Sequence, residues 1–367
     1  MRLLLCGGAT AGHIFPITAV AAELATRDAN LAVLAIGGRR ELDQRLFGDA
    51  GHPFLATSAA PVVGAGARLP WNLLKTSSAT IAALRAIRRF KPDVALSGGG
   101  YASIPGSIAS RLGGVPLVLQ ANDVQPGRAA LLIARFARLI TVACQPAALV
   151  FGGRPTAITG LPLRPGFRQA DAARSRARFN IPSDRPLLVV MGGSQGARAI
   201  NLALGPVLDR LLRRAHIVHL AGAVGLDTAT AIRDSLPDTS RNAYTPLAFL
   251  GDGFADLLAA ADLAVARSGG SIHEFTASAL PSLLIPGGFA GGHQVANARW
   301  LEAAGAALVL AEPDLTANTL FESITGLLDD REHLARMATA AEFLGRPDAA
   351  ARVADILVDI AASRKAA

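Results

Sequence analysis

Four short stretches of this 367-residue sequence gather residue types able to hold a phosphate, a sugar or a proton. The first is Gly7-Gly8-Ala9-Thr10-Ala11-Gly12-His13, which follows an apolar run and precedes a helical pattern. Small residues let a backbone approach a phosphate, and a helix start offers N–H donors at the positive end of its dipole. It is not a Walker A loop, because His13 stands where that loop needs Lys. Nor does it fit a dinucleotide fingerprint: the glycine spacing differs, and Gly37-Gly38-Arg39 lacks the ribose-binding acid. A tight structural turn is the competing reading. His13 places an imidazole at the helix start opposite a cleft; a helix-capping histidine is the alternative.

The second stretch, Ser97-Gly98-Gly99-Gly100-Tyr101-Ala102-Ser103-Ile104-Pro105, repeats the order of strand, glycine turn and helix. Three consecutive glycines each carry an entropic penalty, which argues for a use beyond turning. The third, Gly192-Gly193-Ser194-Gln195-Gly196-Ala197-Arg198, repeats the device later, with Ser194 and the next amides facing a phosphate. The fourth runs from Arg267 to Asn297 and holds Glu274, His293, Gln294 and Asn297. Glu274 among apolar or small neighbours suits the two hydroxyls of a ribose. Gln294 and Asn297 share a helix face at a spacing of three and carry donors and acceptors for sugar hydroxyls. A polar loop capping a helix is the alternative.

The elements that must position these residues are legible as alternating short apolar runs and helical stretches. Leu3–Leu5, Ala32–Ile36, Val94–Leu96, Leu117–Leu119 and Leu139–Val142 read as strands, with helices at Pro16–Arg27, Thr76–Phe90 and Ser103–Leu112. The series restarts at Leu187–Val190, Ile217–Leu220, Leu263–Ala266, Ser282–Ile285 and Ala307–Leu310. Its helices are Ala197–Arg213, Ser271–Ala279, Ala296–Ala304 and Ala317–Leu328. Such alternation predicts an α/β fold of two Rossmann-like doubly wound domains, with ligands beyond the carboxyl ends of the strands in an interdomain cleft. The stiff segment Gly160-Leu161-Pro162-Leu163-Arg164-Pro165-Gly166 marks the boundary. Residues 363–367 are expected to fray.

Composition narrows the classes. Hydrophobic residues make up 51% and charged residues 17%, which excludes disorder. The best apolar stretches are broken by Arg135 and Arg138, or by Asp256 and Asp262, short of the about 20 residues a membrane span needs. The opening Met1-Arg2-Leu3-Leu4-Leu5-Cys6 is too short for a secretory core and reads as a buried strand. Cys6 and Cys144 support neither a disulfide framework nor a zinc site, so a cytosolic protein is expected. Net charge is +8, but the basic residues are scattered and aromatics reach only 5%, which speaks against nucleic acid. Leu69-Pro70-Trp71-Asn72-Leu73-Leu74-Lys75, ahead of Arg85, Arg88, Arg89 and Lys91, suits an anionic lipid surface; a solvated basic helix is the other reading.

Taken in order, these motifs resemble the peptidoglycan-synthesising members of glycosyltransferase family 28. The likeness spans nearly the whole chain: the loop ending in His13, the Gly-Gly-Tyr-x-Ser-x-Pro loop, Pro126-Gly127, Gly160-x-Pro-x-Arg164, Gly192–Arg198 and Glu274…His293-Gln294…Asn297. The resemblance implies a GT-B fold, with an N-terminal acceptor- and membrane-facing domain (1–163), a UDP-sugar domain (164–345) and a C-terminal helix (346–367) packing back. It implies inverting transfer of N-acetylglucosamine from UDP-N-acetylglucosamine, a substrate rather than a cofactor, to lipid I, a lipid-linked muramyl peptide, giving lipid II. It further implies a peripheral place on the cytoplasmic membrane face, and catalysis by dipoles and donors without a metal. Carried over, His13 is the base or positions the acceptor. Thr10, Ala11, Gly12, Arg164, Ser194, Gln195, Gly196, Leu250, Glu274, Gln294 and Asn297 meet the donor. Gly99, Gly100, Tyr101, Asn122 and Asp123 meet the acceptor.

Three departures stand out. The family's Gly-Gly-Thr-Gly-Gly-His is here Gly8-Ala9-Thr10-Ala11-Gly12-His13, so two glycines carry methyl groups. Its His-Glu-Gln-Asn is Gln120-Ala121-Asn122-Asp123, with no carboxylate at Ala121. The segment Arg267–Glu274 is one residue short. These bear on acceptor and base more than on fold or donor. They leave open a family relative with another acceptor, or a nucleotide-binding homologue without catalysis.

Overall fold

In a computed structural model, which describes residues 1–60, 66, 69–192, 197–288 and 292–366, the chain forms two units. One comprises Met1–Pro165 with Arg346–Ala367, the other Gly166–Gly345. Arg164 therefore belongs to the first unit.

The first unit holds a seven-stranded sheet, every pair parallel. Its strands are β1 (Arg2–Cys6), β2 (Ala32–Gly37), β3 (Phe54–Ala56), β4 (Val94–Ser97), β5 (Leu117–Ala121), β6 (Leu139–Val142) and β7 (Thr156–Ile158). The order is β3-β2-β1-β4-β5-β6-β7, so the chain reverses direction between β1 and β4, where Leu3 pairs with Val94. A parallel sheet covered on both faces buries alternate residues alike, which is why Leu3, Leu4, Leu5 and Cys6 are all fully buried. The named helices are α1 (Ala11–Arg27), α2 (Glu41–Asp49), α3 (Leu69–Phe90) and α4 (Ile104–Leu112). The C-terminal helix Ala349–Ala366 packs on α1, adding Val353, Ala354 and Leu357 to a core with Leu3, Leu5, Ile17 and Val94.

The second unit holds six parallel strands: β8 (Leu187–Met191), β9 (His216–Leu220), β10 (Tyr244–Leu247), β11 (Leu263–Ala266), β12 (Ser282–Leu284) and β13 (Ala307–Val309). Their order is β10-β9-β8-β11-β12-β13, with the reversal between β8 and β11. Leu188, Val190, Ile217, Leu263, Val265 and Leu283 form its central layer against Ile200, Leu204, Leu208 and Ile324.

The differences from the sequence reading have local causes. The strands it missed, β3, β7 and β10, all lie at sheet edges. Each is only three or four residues long, too short to stand out as a run, and β10 even contains Pro246, tolerated where no ladder bond is needed. The helix expected over Ala197–Arg213 is broken into Arg198–Leu204 and Leu208–Leu212 by a tight turn at Gly205–Val207. Pro206 has no amide to continue the ladder. α3 starts at Leu69 rather than Thr76, with Pro70 in its first turn, where no donor is required. The C-terminal helix runs on to Ala366 instead of fraying: Arg364 Nη1 donates to the Pro92 and Asp93 carbonyls at 2.6 and 3.2 Å.

Candidate active site

Three loops of the first unit leave the carboxyl ends of the neighbouring strands β1, β4 and β5. The loop after β1 leads into α1, which begins at Ala11 although Pro16 lies inside it. Proline cannot donate to the carbonyl four residues back, here that of Gly12. Asn122 Nδ2, from the loop after β5, donates to that carbonyl at 2.9 Å and replaces the missing bond. A residue assigned to the acceptor thus braces the backbone one position from His13.

His13 is half-buried. Its Nδ1 lies 2.8 Å from the Thr10 hydroxyl, and its amide donates to the Thr10 carbonyl at 3.1 Å. The loop after β4 closes against it: a Cβ on Gly100 would lie 2.9 Å from Nδ1, and one on Gly98 would fall onto the His13 carbonyl oxygen. The glycine run is therefore a close-approach surface for the histidine. The 3₁₀ turn Tyr101–Ser103 follows, held by Ser103 Oγ donating to the Gly100 carbonyl at 2.5 Å. Gly99 is buried and Tyr101 half-buried; Thr10 and Gly12 are exposed, and Ala11 is buried. Asp123 is half-buried, and its charge adds to the burial that pushes the Cys144 thiol up to about 11. The Arg164 guanidinium lies 5.5 Å from the ring centroid of Phe15, two residues past His13.

Sequence reasoning missed Asp43 and Arg40. Asp43, fully buried at the start of α2, accepts from the Ala9 amide and the Gly38 amide at 3.1 Å. The Ala9 amide, in the loop read as a phosphate approach, is therefore taken by a carboxylate of the protein itself. A signal existed in the sequence: an acid lies five residues after Gly38, where only a ribose-binding acid had been sought.

In the second unit the loops after β8, β11 and β12 again share one sheet edge around the reversal point. Ser194, Gln195 and Gly196 lie outside the described residues. The helix after them carries Asn201, whose Nδ2 donates to the Ala221 carbonyl at 3.0 Å. That turns Oδ1 towards His219 Nε2 at 3.1 Å, so Nε2 holds the ring proton and Nδ1 accepts from the Tyr244 hydroxyl at 2.7 Å. Burial pushes His219 down to about 4, which keeps the ring neutral in this chain of bonds.

The loops after β11 and β12 are stitched to the helix His293–Ala303. Asn297, fully buried, donates Nδ2 to the Ser268 carbonyl at 3.0 Å; Ser268 Oγ donates to the Gln294 carbonyl at 2.7 Å. Gln294 Oε1 accepts from the Gly287 amide at 2.8 Å. Arg267 Nη1 donates to the Ile285 carbonyl at 3.0 Å and pairs with Glu312 at 2.7 Å, holding that carboxyl below its usual range. Two residues chosen as sugar ligands are thus backbone braces. Glu274 is half-buried in the first turn of the helix Ile272–Ala277, and Leu250 is buried.

Comparison with known proteins agrees with this architecture. Residues 3–142 match the family model described as the glycosyltransferase family 28 N-terminal domain, and residues 187–353 that of the family 28 C-terminal domain. A protein of Desulfitobacterium hafniense, named UDP-N-acetylglucosamine–N-acetylmuramyl-(pentapeptide) pyrophosphoryl-undecaprenol N-acetylglucosamine transferase, is 34% identical over 372 residues. That alignment covers 98% of this chain and 100% of the relative. A protein of the same name from Clavibacter sepedonicus is 35% identical, covering 98% and 97%. The crystal structure of Acinetobacter baumannii MurG superposes with a TM-score of 0.76 at 26% identity, covering 98% and 99%.

Proposed function

Because this chain belongs to glycosyltransferase family 28, we propose that it transfers N-acetylglucosamine from UDP-N-acetylglucosamine to the muramyl sugar of an undecaprenyl-diphosphate-linked peptide, with inversion. The observation that carries the reading is 34% identity along 98% of the chain to a transferase so named. The acceptor hydroxyl gives its proton to His13 as its oxygen bonds to the anomeric carbon. The bond from that carbon to the diphosphate breaks, and its electron pair leaves with UDP. The Thr10 hydroxyl on Nδ1 orients the ring so that Nε2 takes the proton.

Donor roles fall to Glu274 on the ribose, Leu250 beside the uracil, and Arg164 with Ser194, Gln195 and Gly196 on the diphosphate. Gln294, with Oε1 on Gly287, keeps its Nε2 group for a sugar hydroxyl. Asn297, whose Nδ2 holds the Ser268 carbonyl, supports the sugar site from behind. Tyr101 and Asp123 remain with the acceptor. UDP-N-acetylglucosamine enters as a substrate, and no resident cofactor is invoked.

The lipid tail calls for a bilayer. No helix among the described residues is long and apolar enough to cross a membrane; the reading is docking at the cytoplasmic face, where the lipid-linked acceptor is presented. α3 supports it: Thr76, Ala79, Thr80, Ala83 and Ile87 are buried, whereas Trp71, Leu74 and Ile81 stand 60%, 62% and 53% exposed. Lys75, Arg85, Arg88 and Arg89 are exposed on the same helix. An apolar strip among cations suits anionic headgroups.

A transfer assay with UDP-N-acetylglucosamine, offering the undecaprenyl-diphosphate muramyl-pentapeptide or diacylglycerol, decides the reading. Transfer to the muramyl acceptor alone supports it. Transfer to diacylglycerol alone assigns another acceptor, and UDP binding without turnover assigns a non-catalytic role.

A further inference from the structure

Asp43 stands in the first turn of α2 with its side chain fully buried. Both of its oxygens accept from the Ala9 amide at 3.1 Å, and Oδ2 also accepts from the Gly38 amide at 3.1 Å. A Cβ on Gly8 or Gly38 would come within 2.5 or 2.6 Å of Oδ2, so the carboxylate seats only because both positions are bare. Three residues earlier, Arg40 Nη1 donates to the Ala9 carbonyl at 3.0 Å, while its guanidinium lies 6.0 Å from the Tyr101 ring centroid. The start of α2 therefore grips both polar ends of residue 9.

Residue 9 needs gripping. Ala9 has φ +76°, a left-handed conformation in which a Cβ crowds the backbone. Such a residue persists only where its surroundings over-determine it. Ala11, the other methyl in the loop, is the first residue of α1, where a Cβ brings no strain. Ala9 directly precedes Thr10, whose hydroxyl holds His13 Nδ1 at 2.8 Å. The path from Asp43 to His13 runs through one strained peptide and one hydroxyl.

We propose that Asp43 is a positioning residue for His13: its carboxylate holds Ala9 in the left-handed conformation, and the clamp is required because position 9 carries a methyl group. The proposal deepens the function above and rests on His13 acting as the base. Glycine at that position would adopt the conformation without steric conflict, so dependence on Asp43 should fall when the methyl is removed.

The test is a double-mutant cycle of Asp43→Asn and Ala9→Gly, with Ala11→Gly as the control for a methyl without strain. Asp43→Asn should lower kcat about tenfold or more, the scale of one charge-assisted hydrogen bond, with the KM for UDP-N-acetylglucosamine within about twofold. UDP affinity by calorimetry should hold, reporting an intact second unit. In the Ala9→Gly background the same substitution should lower kcat about threefold or less. In the Ala11→Gly background the full loss should remain. The His13 ring signals by NMR should shift with Asp43→Asn and return when Ala9→Gly is added. If Asp43→Asn does not fold, Arg40→Met at the exposed end of the grip should show the same rescue, with a smaller loss. Equal losses in all backgrounds, or an unshifted His13 signal, overturn the clamp. Absence of transfer by the unsubstituted protein counts against the function instead, and the NMR arm then still decides the clamp.

Discussion

The two units use the same scaffold, a parallel sheet whose strand order reverses at its centre, yet they distribute the bracing of their loops differently. In the first unit, loops are braced from neighbouring elements: Asp43 of α2 holds Ala9, and Asn122 after β5 holds the Gly12 carbonyl. In the second, one helix serves two loops: His293–Ala303 holds the loop just before it through Gln294 and reaches back to the loop after β11 through Asn297. In both, the polar side chains nearest the site serve backbone donors and acceptors first. A buried loop must pair its N–H and C=O groups, and short amides and carboxylates do that most economically in space. A polar residue in a ligand-binding motif can therefore be a support rather than a contact.

The sharpest way to break this contrast is at the residue that stands apart from it. His13→Ala should lower kcat by roughly 10²–10⁴-fold while leaving UDP affinity unchanged, measured by transfer assay and calorimetry. Full activity in that variant would move the base elsewhere.

Next in size is the response to acid. Burial pushes His216 and His219 down to about 4, with Arg185 and Arg176 contributing at His216. An unfolded histidine titrates near 6.5. Below that value the unfolded chain binds protons that the folded one refuses, so stability should fall as pH drops from about 6.5 towards 4 and be insensitive above. His219 alone accounts for about 3 kcal/mol at most. Urea titrations at pH 7, 5.5 and 4.5 measure the slope, and His219→Gln should flatten it. An unchanged slope would detach the neutral ring from stability.

Asn297→Ala sharpens the distinction between support and ligand. Removing the amide leaves the Ser268 carbonyl without that bond, which should destabilise by about 1–3 kcal/mol and lower Tm by several degrees. An unaltered Tm with a raised KM for the donor would return Asn297 to the sugar.

The smallest effect on stability is expected on α3. Trp71→Ser with Leu74→Ser should leave Tm nearly unchanged, because both side chains are exposed. Co-sedimentation with anionic vesicles should drop several-fold, and activity on a short-chain, soluble acceptor should persist. Unaltered sedimentation would make α3 a plain solvated helix.

Much of this molecule could be read from its residues. Nine of the ten strands assigned from apolar runs lie inside the two sheets, where burial on both faces leaves an unmistakable pattern, and the tenth, β13, is an edge strand that keeps an apolar Ala-Leu-Val run. His13 and the glycine turns were visible because small residues after a strand and before a helix have few other uses. The bracing bonds of Asp43, Asn122 and Asn297 were not foreseen because their partners are backbone groups far along the chain, 34, 110 and 29 residues away. Local spacing offered one hint, the acid five residues after Gly38, and none for the other two.

Type and order of residues were enough to specify two doubly wound sheets and the glycine turns after β1 and β4, since periodicity and small-residue spacing are local properties. Tertiary structure alone decided which polar groups are left for a ligand. That depends on which backbone donors and acceptors each fold element leaves unmet, and only the packed chain brings the distant side chains that meet them.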